Sequence, residues 1–167
     1  DYASFIEQYT GQSSEPGDFV NKEGKVLGKH KGQIHYTIGQ RRGLGISAPE
    51  SLYVCGKSLD SNEVILGGKQ DLMSNCCYIN DINLIPWDHL DAPIKCKVKT
   101  RYRQPEQPAT VEQIGEDLIK ITFDEPQRAV TPGQAAVLYD DDMVLGGGTI
   151  LPEGLASTMT TSQGTDI

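Results

Sequence analysis

The sequence is poor in the features that mark membrane and secreted proteins. No stretch approaches the roughly 18 consecutive apolar residues of a membrane-spanning helix. No basic start followed by an apolar segment marks a signal peptide. We therefore expect a cytoplasmic protein that has no membrane partner.

Cysteine is scarce, and its positions form no metal or redox motif. None of the four cysteines belongs to a C-x-x-C pair. Cys76 and Cys77 are adjacent, so a regular strand would turn them to opposite faces and both could not bind one metal ion. We expect no metal site, and we interpret these cysteines, together with Cys55 and Cys96, as small hydrophobic residues.

Motifs for nucleotide binding and nucleophilic catalysis are also absent. The run Gly146–Gly148 has no surrounding G-x-x-x-x-G-K-[ST] pattern, so it predicts a bulge or a close backbone crossing instead of a phosphate loop. No Ser/His/Asp or Cys/His unit is recognisable. His30 and His35 lack a cysteine or carboxylate at ligand spacing, which disfavours a metal or catalytic pair.

The segments that are present predict a mainly β fold. A length of 167 residues suits one ordinary domain or two small ones. Short β-branched segments alternate with Gly, Asn and Pro turns. The expected strands are Asp18–Asn21, Lys25–Gly28, Ile34–Ile38, Leu52–Gly56, Glu63–Gly67, Asn80–Ile85, Ile94–Arg103, Ala109–Ile114, Leu118–Phe123, Ala135–Tyr139 and Met143–Ile150.

The spacing of these segments predicts two domains. We expect a small central mixed β domain over residues 1–82, opened by a helix at Asp1–Gly11, since Phe5, Ile6 and Tyr9 have helical spacing. Five later strands in about sixty residues predict a small antiparallel β-barrel over residues 83–152. Residues 153–167 are rich in Thr, Ser and Gly and are expected to be disordered. Because the chain starts at Asp1 inside a helical pattern, we also expect it to be part of a longer protein.

Charge is concentrated in two places. The net charge is −8, which by itself disfavours a nucleic-acid partner. However, residues 22–42 contain six cations against the single acid Glu23, and residues 95–103 contain five cations and no acid. Two basic clusters on an acidic chain predict localised contact with an anion.

The segment Ile94–Arg103 alternates strictly between apolar or neutral and basic residues. Its cations are Lys95, Lys97, Lys99, Arg101 and Arg103. Side chains on one face of a strand repeat every ~6.6–7 Å, close to the phosphate spacing of a single nucleic-acid strand. One interpretation is therefore RNA contact. The alternative is that the lysines protect an edge strand from aggregation.

Two further segments combine glycine with polar or basic residues. Residues 30–46 contain four glycines, Arg41 and Arg42 as donors for phosphate, and His30, His35 and Tyr36 as surface able to stack on bases. A glycine-rich hairpin with solvated arginines is the alternative. In residues 129–139, Thr131–Gln134 predicts a tight turn that leads into a buried strand and leaves the Gln134 amide near a ligand.

Four motifs in order carry a resemblance to a known family. The motifs G-K-H-K-G-Q-I-H-Y-T-I-G-Q-R-R-G-L-G-I, T-R-Y-R-Q, F-D-E-P-Q-R-A-V-T-P-G-Q-A-A-V-L-Y and L-G-G-G-T-I together resemble the tRNA-specific 2-thiouridylase family (MnmA or TrmU). The resemblance covers residues 1 to about 152 and implies the central and C-terminal domains of that family. The family's S-G-G-V-D-S motif is not in this sequence, and none of the four cysteines matches a catalytic cysteine of the family.

The resemblance implies that the chemical steps and tRNA binding are carried out by different parts of the enzyme. In the family, an N-terminal domain binds ATP with Mg, and the full enzyme adenylates C2 of the wobble uridine 34 before a cysteine persulfide delivers sulfur. It implies tRNAs for Lys, Glu and Gln as substrates, with sulfur supplied by a relay protein or a cysteine desulfurase. This portion would bind no cofactor, hold no catalytic residue and be inactive alone.

The resemblance also implies which residues contact tRNA. The family's contacts fall on Arg101, Tyr102 and Gln134. Less direct candidates on the two basic segments are Lys97, Lys99, Arg103, Lys31, His35, Gln40, Arg41 and Arg42. Two alternatives stay open from the sequence: an RNA-binding β-barrel of a translation-associated factor, and a non-catalytic domain that docks a protein such as a sulfur carrier.

Overall fold

The computed structural model describes residues 11–152, which form ten β-strands and two short 3-10 helices, Gln33–His35 and Lys69–Leu72. The strands are β1 Gly17–Val20, β2 Val26–His30, β3 Tyr53–Ser58, β4 Glu63–Gly67, β5 Met73–Leu84, β6 Ile94–Lys99, β7 Gln107–Gly115, β8 Leu118–Arg128, β9 Ala135–Asp140 and β10 Met143–Ile150. Two compact units divide between Met73 and Ser74.

The first unit is a four-stranded mixed sheet with the order β2-β1-β4-β3. Strand β1 pairs antiparallel with β2 and parallel with β4, and β3 closes the other side as an antiparallel neighbour of β4. Phe19, Val54, Val64 and Leu66 are fully buried and form the centre of its core. The mixed pairing confirms the mixed β domain expected from the sequence.

The second unit is a closed six-stranded antiparallel barrel with the order β10-β5-β8-β7-β6-β9. Alternate residues of each strand point inward, so Val98, Val111, Ile121 and Leu138 are buried with the rest of one continuous apolar core. Closure pairs every strand on both sides, which removes the exposed edges of an open sheet. The predicted β-barrel is confirmed, with β5 as a sixth strand.

The run of three glycines in β10 allows other backbone segments to approach closely. A Cβ atom at Gly147 would lie 2.1 Å from the carbonyl oxygen of Ala136, and one at Gly146 would lie 2.1 Å from that of Asn83. The pairing with β5 also shifts register between Gly147 and Thr149. The sequence-based expectation of a bulge or close crossing is therefore confirmed.

Four expected strands differ from the observed ones by more than two residues, and one of them, β8, continues five residues past the expected end at Phe123 to Arg128. Ile34–Ile38 is not a strand, because its backbone forms a 3-10 turn that packs Tyr36 into the first core. Strand β5 begins at Met73 instead of Asn80, which places residues 74–82 in the barrel unit. Strand β6 ends at Lys99, and residues 101–103 lie in a turn. The helix expected at residues 1–11 and the disorder expected at residues 153–167 fall, apart from Gly11, outside the described residues.

The environment of β6 excludes one interpretation of its lysines. The strand pairs with β7 on one side and with β9 on the other. It therefore has no free edge, and the explanation of Lys95, Lys97 and Lys99 as edge protection is wrong. Among residues 11–152, no helix is long and apolar enough to cross a membrane.

The close packing of β10 generates a stability prediction. We expect Gly147→Ala to lower the free energy of unfolding by about 2–4 kcal/mol, because the added methyl group would overlap a backbone oxygen that cannot move aside. Gly56→Ala is the control, since its Cβ would meet only Ile65 at 3.7 Å. That change should shift stability by less than about 1 kcal/mol. Urea unfolding followed by circular dichroism measures both, and equal effects would contradict the packing argument.

Candidate nucleic-acid interface

A groove on the barrel gathers residues from two distant parts of the sequence. It has a volume of about 390 Å³ and lies where the end of β6 meets the start of β9. The residues that line it are Lys99, Thr100, Arg101, Tyr102, Gln134, Ala135, Val137 and Tyr139. Arg101, Tyr102 and Gln134, the three positions singled out by the family resemblance, are thus brought together.

The pairing of β6 with β9 sets the floor of the groove. Lys97 lies opposite Tyr139, and Lys99 lies opposite Val137. Side chains of directly paired residues share one face of a sheet. The outer face of the barrel therefore combines the cations of β6 with the apolar and aromatic side chains of β9. Tyr139 and Val137 were not predicted as site residues, because only the strand register places them beside the lysines.

Arg101 is fixed by a backbone hydrogen bond. Its Nη2 donates to the carbonyl oxygen of Ala129 at 3.1 Å, and the side chain is partly buried. Burial lowers the pKa of the Arg101 guanidinium from its ordinary value, and the nearby Arg128 lowers it further. The guanidinium stays charged, since arginine is not deprotonated in proteins. The positive charge of Arg101 at this surface favours an anionic ligand there.

The carbonyl oxygen of Ala129 also holds the turn that contains Gln134. Ala129 has a φ of 55° and is almost fully buried, an unusual backbone conformation for a non-glycine residue. Thr131 Oγ1 also donates to its carbonyl oxygen, at 2.9 Å. The Gly133 N–H then donates to the Ile150 carbonyl at 2.8 Å, which ties the turn to β10. The sequence predicted the turn but not these contacts.

Tyr102 and Gln134 present unused groups to solvent. Tyr102 is 92% exposed, and the Lys99 Nζ lies 5.7 Å from the centre of its ring, at the distance of a cation–π contact. The Gln134 side chain is exposed and makes no hydrogen bond to any residue between 11 and 152. An aromatic face and a free amide beside cations are the groups that contact bases and phosphates of RNA.

The other cations near the groove differ in exposure and in whether their charge is neutralised by an acidic residue. Lys95 forms an ion pair with Asp124, with Nζ and Oδ1 3.0 Å apart, so part of its charge is neutralised. Lys97 is exposed on the outer face of β6, and Arg103 is exposed in the turn that follows. Neither lines the groove. The row of five cations predicted on one strand is therefore three lysines on β6 and two arginines in a turn.

In the first unit, two of the residues expected to stack on bases are buried instead. His30 and Tyr36 are 2% and 6% exposed and pack against Phe19, with ring centroids 5.1–5.9 Å apart. The Gly32 N–H donates to His30 Nδ1 at 3.0 Å, so Nε2 carries the proton and donates to the Asn62 carbonyl at 2.8 Å. The prediction of a stacking surface at these two residues is wrong, because the aromatic rings fill the core.

The neighbouring basic loop is exposed. Lys31, His35, Arg41 and Arg42 all lie at the surface of the first unit. The Gln40 amide is used within the loop, since its Oε1 accepts from the Thr37 N–H at 3.0 Å and its Nε2 donates to the Arg42 carbonyl at 2.9 Å. Gln40 therefore shapes the loop that presents the two arginines. A second concavity of about 350 Å³ lies within residues 41–52.

Three of the four cysteine thiols are poorly suited to nucleophilic chemistry. Burial raises the pKa of Cys77 to about 12, with a smaller contribution from Cys76. Burial likewise raises the pKa of Cys55 to about 11, helped by Asp71, and that of Cys96 to about 11, helped by Asp140. Because the thiolate is the reactive form, these three cysteines are held in an unreactive state near neutral pH.

Two features that commonly bind metals or nucleotides are not formed by the described residues. Between residues 11 and 152, no group of three or more His, Cys, Asp or Glu side chains is placed to hold a metal ion. The glycine-rich run 146–148 is inside a strand and precedes no helix that could bind phosphates.

Comparison with known families defines the class of the protein. Residues 3–68 match the family described as the tRNA methyl transferase PRC-barrel domain. Residues 74–150 match the family described as the aminomethyltransferase β-barrel domain. The first match lies within the first compact unit and the second match within the second, so each unit is similar to one of these two families.

Comparison with individual proteins gives the family. The chain is 44% identical over 150 residues to the tRNA-specific 2-thiouridylases MnmA of Clostridioides difficile and of Acetivibrio thermocellus, and 43% identical to that of Carboxydothermus hydrogenoformans. These alignments cover 90% of this chain and 41–42% of the relatives. The chain therefore belongs to the tRNA-specific 2-thiouridylase family, and it spans about two fifths of the length of these curated relatives.

The shared carbonyl of Ala129 leads to a prediction about the Gln134 turn. We expect Thr131→Val to raise hydrogen–deuterium exchange of the amides in residues 129–134 about fivefold, because a hydrogen bond of about 1 kcal/mol is lost. Thr131→Ser keeps the hydroxyl and should exchange like the original chain. Mass spectrometry of the peptide measures the change. Unaltered exchange in Thr131→Val would contradict a role of this hydroxyl in holding the turn.

The raised thiol pKa values lead to a second prediction. At pH 8, about one Cys77 in ten thousand is ionised, so iodoacetamide should modify it far more slowly than an ordinary thiol. The rate should rise about tenfold for each pH unit up to a pH near 11. Chain unfolded in urea is the control and should react at all four cysteines. Rapid labelling of folded Cys77 at pH 8 would show that it is not buried.

Proposed function

We propose that this chain is the tRNA-docking part of a tRNA 2-thiouridylase. The complete enzyme would thiolate C2 of the wobble uridine 34 with ATP and a cysteine persulfide. The family membership supports this proposal, since the relatives are tRNA-specific 2-thiouridylases. Because the chain covers about two fifths of those relatives, the catalytic work is assigned to the part of the family protein that is not matched here.

The single observation that best supports the proposal is the set of residues that line the barrel groove. Arg101 and Tyr102 follow β6, whereas Gln134 precedes β9, yet all three line one cavity. Family resemblance pointed to these residues, and the groove was defined by geometry alone. The agreement between two independent lines of reasoning supports a common ligand for the three side chains.

The chemistry of the groove suits an RNA strand. Arg101 has one guanidinium nitrogen fixed on the Ala129 carbonyl, which leaves other N–H groups to bind a phosphate. Lys99 adds a second positive charge at the rim. Phosphate contacts of this kind position a nucleic acid without reading its sequence.

The first unit would supply a secondary contact. Lys31, His35, Arg41 and Arg42 are exposed, and Gln40 holds the loop between them. Because this loop carries two arginines and no acid from residue 30 to residue 46, it is suited to a phosphate backbone. We assign to Lys97 and Arg103 the same supporting role beside the groove.

In this proposal, another domain of the enzyme and a separate sulfur donor carry out the chemical steps. ATP with Mg would bind to another domain of the complete enzyme, and sulfur would come from a relay protein or a cysteine desulfurase. The tRNAs for Lys, Glu and Gln are the expected substrates, in the cytoplasm. The raised thiol pKa values of Cys55, Cys77 and Cys96 disfavour sulfur transfer at these three residues.

Substitution of Arg101 tests the proposal. We expect the 167-residue chain to bind tRNA weakly, with an affinity that falls as salt rises. Arg101→Ala should weaken binding and reduce the slope of log affinity against log salt by about one unit, because one phosphate contact is lost. Fluorescence anisotropy with labelled tRNA across a salt series measures both quantities.

Lys95→Ala is the matched control for this experiment. Lys95 lies on the same exposed face of β6, but it is paired with Asp124 and does not line the groove. Its loss should leave the slope nearly unchanged. If the chain binds a sulfur-carrier protein and not tRNA, or if Arg101→Ala and Lys95→Ala behave alike, the assigned role of the groove is wrong.

A further inference from the structure

We propose that the barrel docks a second protein at the end opposite the groove, and that this partner presents basic residues around an apolar centre. The docking surface is an apolar end patch, formed by Ile85, Trp87, Met143 and Val144, with an acidic border. None of these four residues lines the groove. The inference therefore goes beyond the proposed function and does not depend on it.

The strand registers divide the loops of the barrel between its two ends. Ile94 at the start of β6 lies opposite Val111 in β7, and Gly146 in β10 lies opposite Leu84 at the end of β5. The other antiparallel pairs continue this alternation around the barrel. The β5–β6, β7–β8 and β9–β10 connections therefore gather at one end. The β6–β7 and β8–β9 connections, which contribute to the groove, lie at the other.

Four large apolar side chains are exposed where the β5–β6 connection meets the start of β10. Ile85 is 66% and Met143 is 55% exposed, and Trp87 and Val144 are each exposed by more than a third. The Ile85 N–H donates to the Leu145 carbonyl at 2.9 Å, which holds the two segments side by side. Exposed apolar residues that cluster within a polar border are typical of protein–protein interfaces, where Trp and Met are enriched.

The connections at this end are strongly acidic. Residues 85–93, 115–118 and 140–143 contain seven acidic residues and no lysine or arginine. These acidic residues are Asp88, Asp91, Glu116, Asp117, Asp140, Asp141 and Asp142. Within residues 11–152, none of them forms a salt bridge, and the nearby Lys95 pairs with Asp124 instead. This uncompensated negative charge repels RNA and attracts a basic protein surface.

Internal contacts hold the β5–β6 connection in place. Leu90 is buried in the barrel core, and its N–H donates to Gln113 Oε1 at 2.8 Å. The same Gln113 side chain donates through Nε2 to the Gly115 carbonyl at 3.1 Å, which links this connection to the β7–β8 turn. Pro86 and Pro93 restrict the backbone at its two ends. Because the surface is formed in advance, docking would cost little ordering entropy.

Two other occupants fit the patch less well than a separate basic protein. A second copy of the chain has its cationic groove at the far end of the barrel, so the contact would be head-to-tail and would not close into a dimer. Residues 153–167 of the same chain contain Glu153 and Asp166 and no lysine or arginine, so their charge does not complement the acidic border. Charge complementarity therefore favours a different, basic protein.

The fluorescence of Trp87 tests the proposal at the patch itself, since this is the only tryptophan in the sequence. The probe is a synthetic, tryptophan-free helical peptide with leucines on one face and lysines on the other. We expect it to shift Trp87 emission to shorter wavelength, because it would exclude water from the indole, with an affinity that falls as salt rises. Peptides with Glu in place of Lys, or Ser in place of Leu, should bind at least about tenfold more weakly.

A double substitution and a matched control locate the contact. Ile85→Ser combined with Met143→Ser removes two exposed side chains and retains the Trp87 reporter, and it should weaken peptide binding about tenfold. Val26→Ser is the control, because Val26 is equally exposed but lies in the first unit, and it should bind the peptide like the original chain. The affinity of the double variant for tRNA should be unchanged, since the groove is intact.

Three outcomes would overturn the proposal. One is an equal effect of the double variant and of Val26→Ser on peptide binding, which would show non-specific adhesion to an acidic chain. Another is binding of the Glu peptide as tightly as the Lys peptide. The third is self-association of the 167-residue chain in analytical ultracentrifugation that the double variant abolishes, which would assign the patch to a second copy.

Discussion

The antiparallel pairing of β6 with β9 determines where the groove lies and what it contains. Lys99 lies opposite Val137, and Lys97 lies opposite Tyr139, so charged and apolar side chains alternate across one outer face. This pairing exists only because the barrel closes, which brings strands that are separated by β7 and β8 in sequence into contact. The buried residues on the opposite face, including Val98 and Leu138, hold the register, since a slip by one residue would expose them.

A single carbonyl group organises the part of the groove that lies outside the strands. The Ala129 oxygen accepts hydrogen bonds from Arg101 and Thr131, and the left-handed backbone at Ala129 turns it toward both. Arg101 is consequently held near Arg128 despite their like charges. Positive charge at this surface favours an anionic ligand there. The arginine that is proposed to bind RNA thus also has a structural contact within the protein.

In the first unit, the glycine- and histidine-rich segment serves mainly to build the fold. This segment places His30 and Tyr36 in a core of edge-to-face rings, and Gln33 donates to the Ser58 and Glu63 carbonyls at 2.7 and 3.1 Å. These buried polar groups are satisfied, as burial requires. The exposed charges of the loop are left on Lys31 and the two arginines. A motif that looks wholly functional in sequence is therefore largely a folding element.

The local sequence pattern determined the strands and the class of fold. Both the alternation of apolar and polar residues with a period of two and the turn residues between strands involve only residues that are close together in sequence. Glu63–Gly67 and Met143–Ile150 have the observed bounds for this reason. Three other features depended on packing partners far along the chain. They are the burial of His30 and Tyr36, the 3-10 turn at Gln33–His35 and the start of β5 at Met73. The gathering of Arg101, Tyr102 and Gln134 was likewise decided by barrel closure, since no spacing rule links positions that are joined only through the register of two strands.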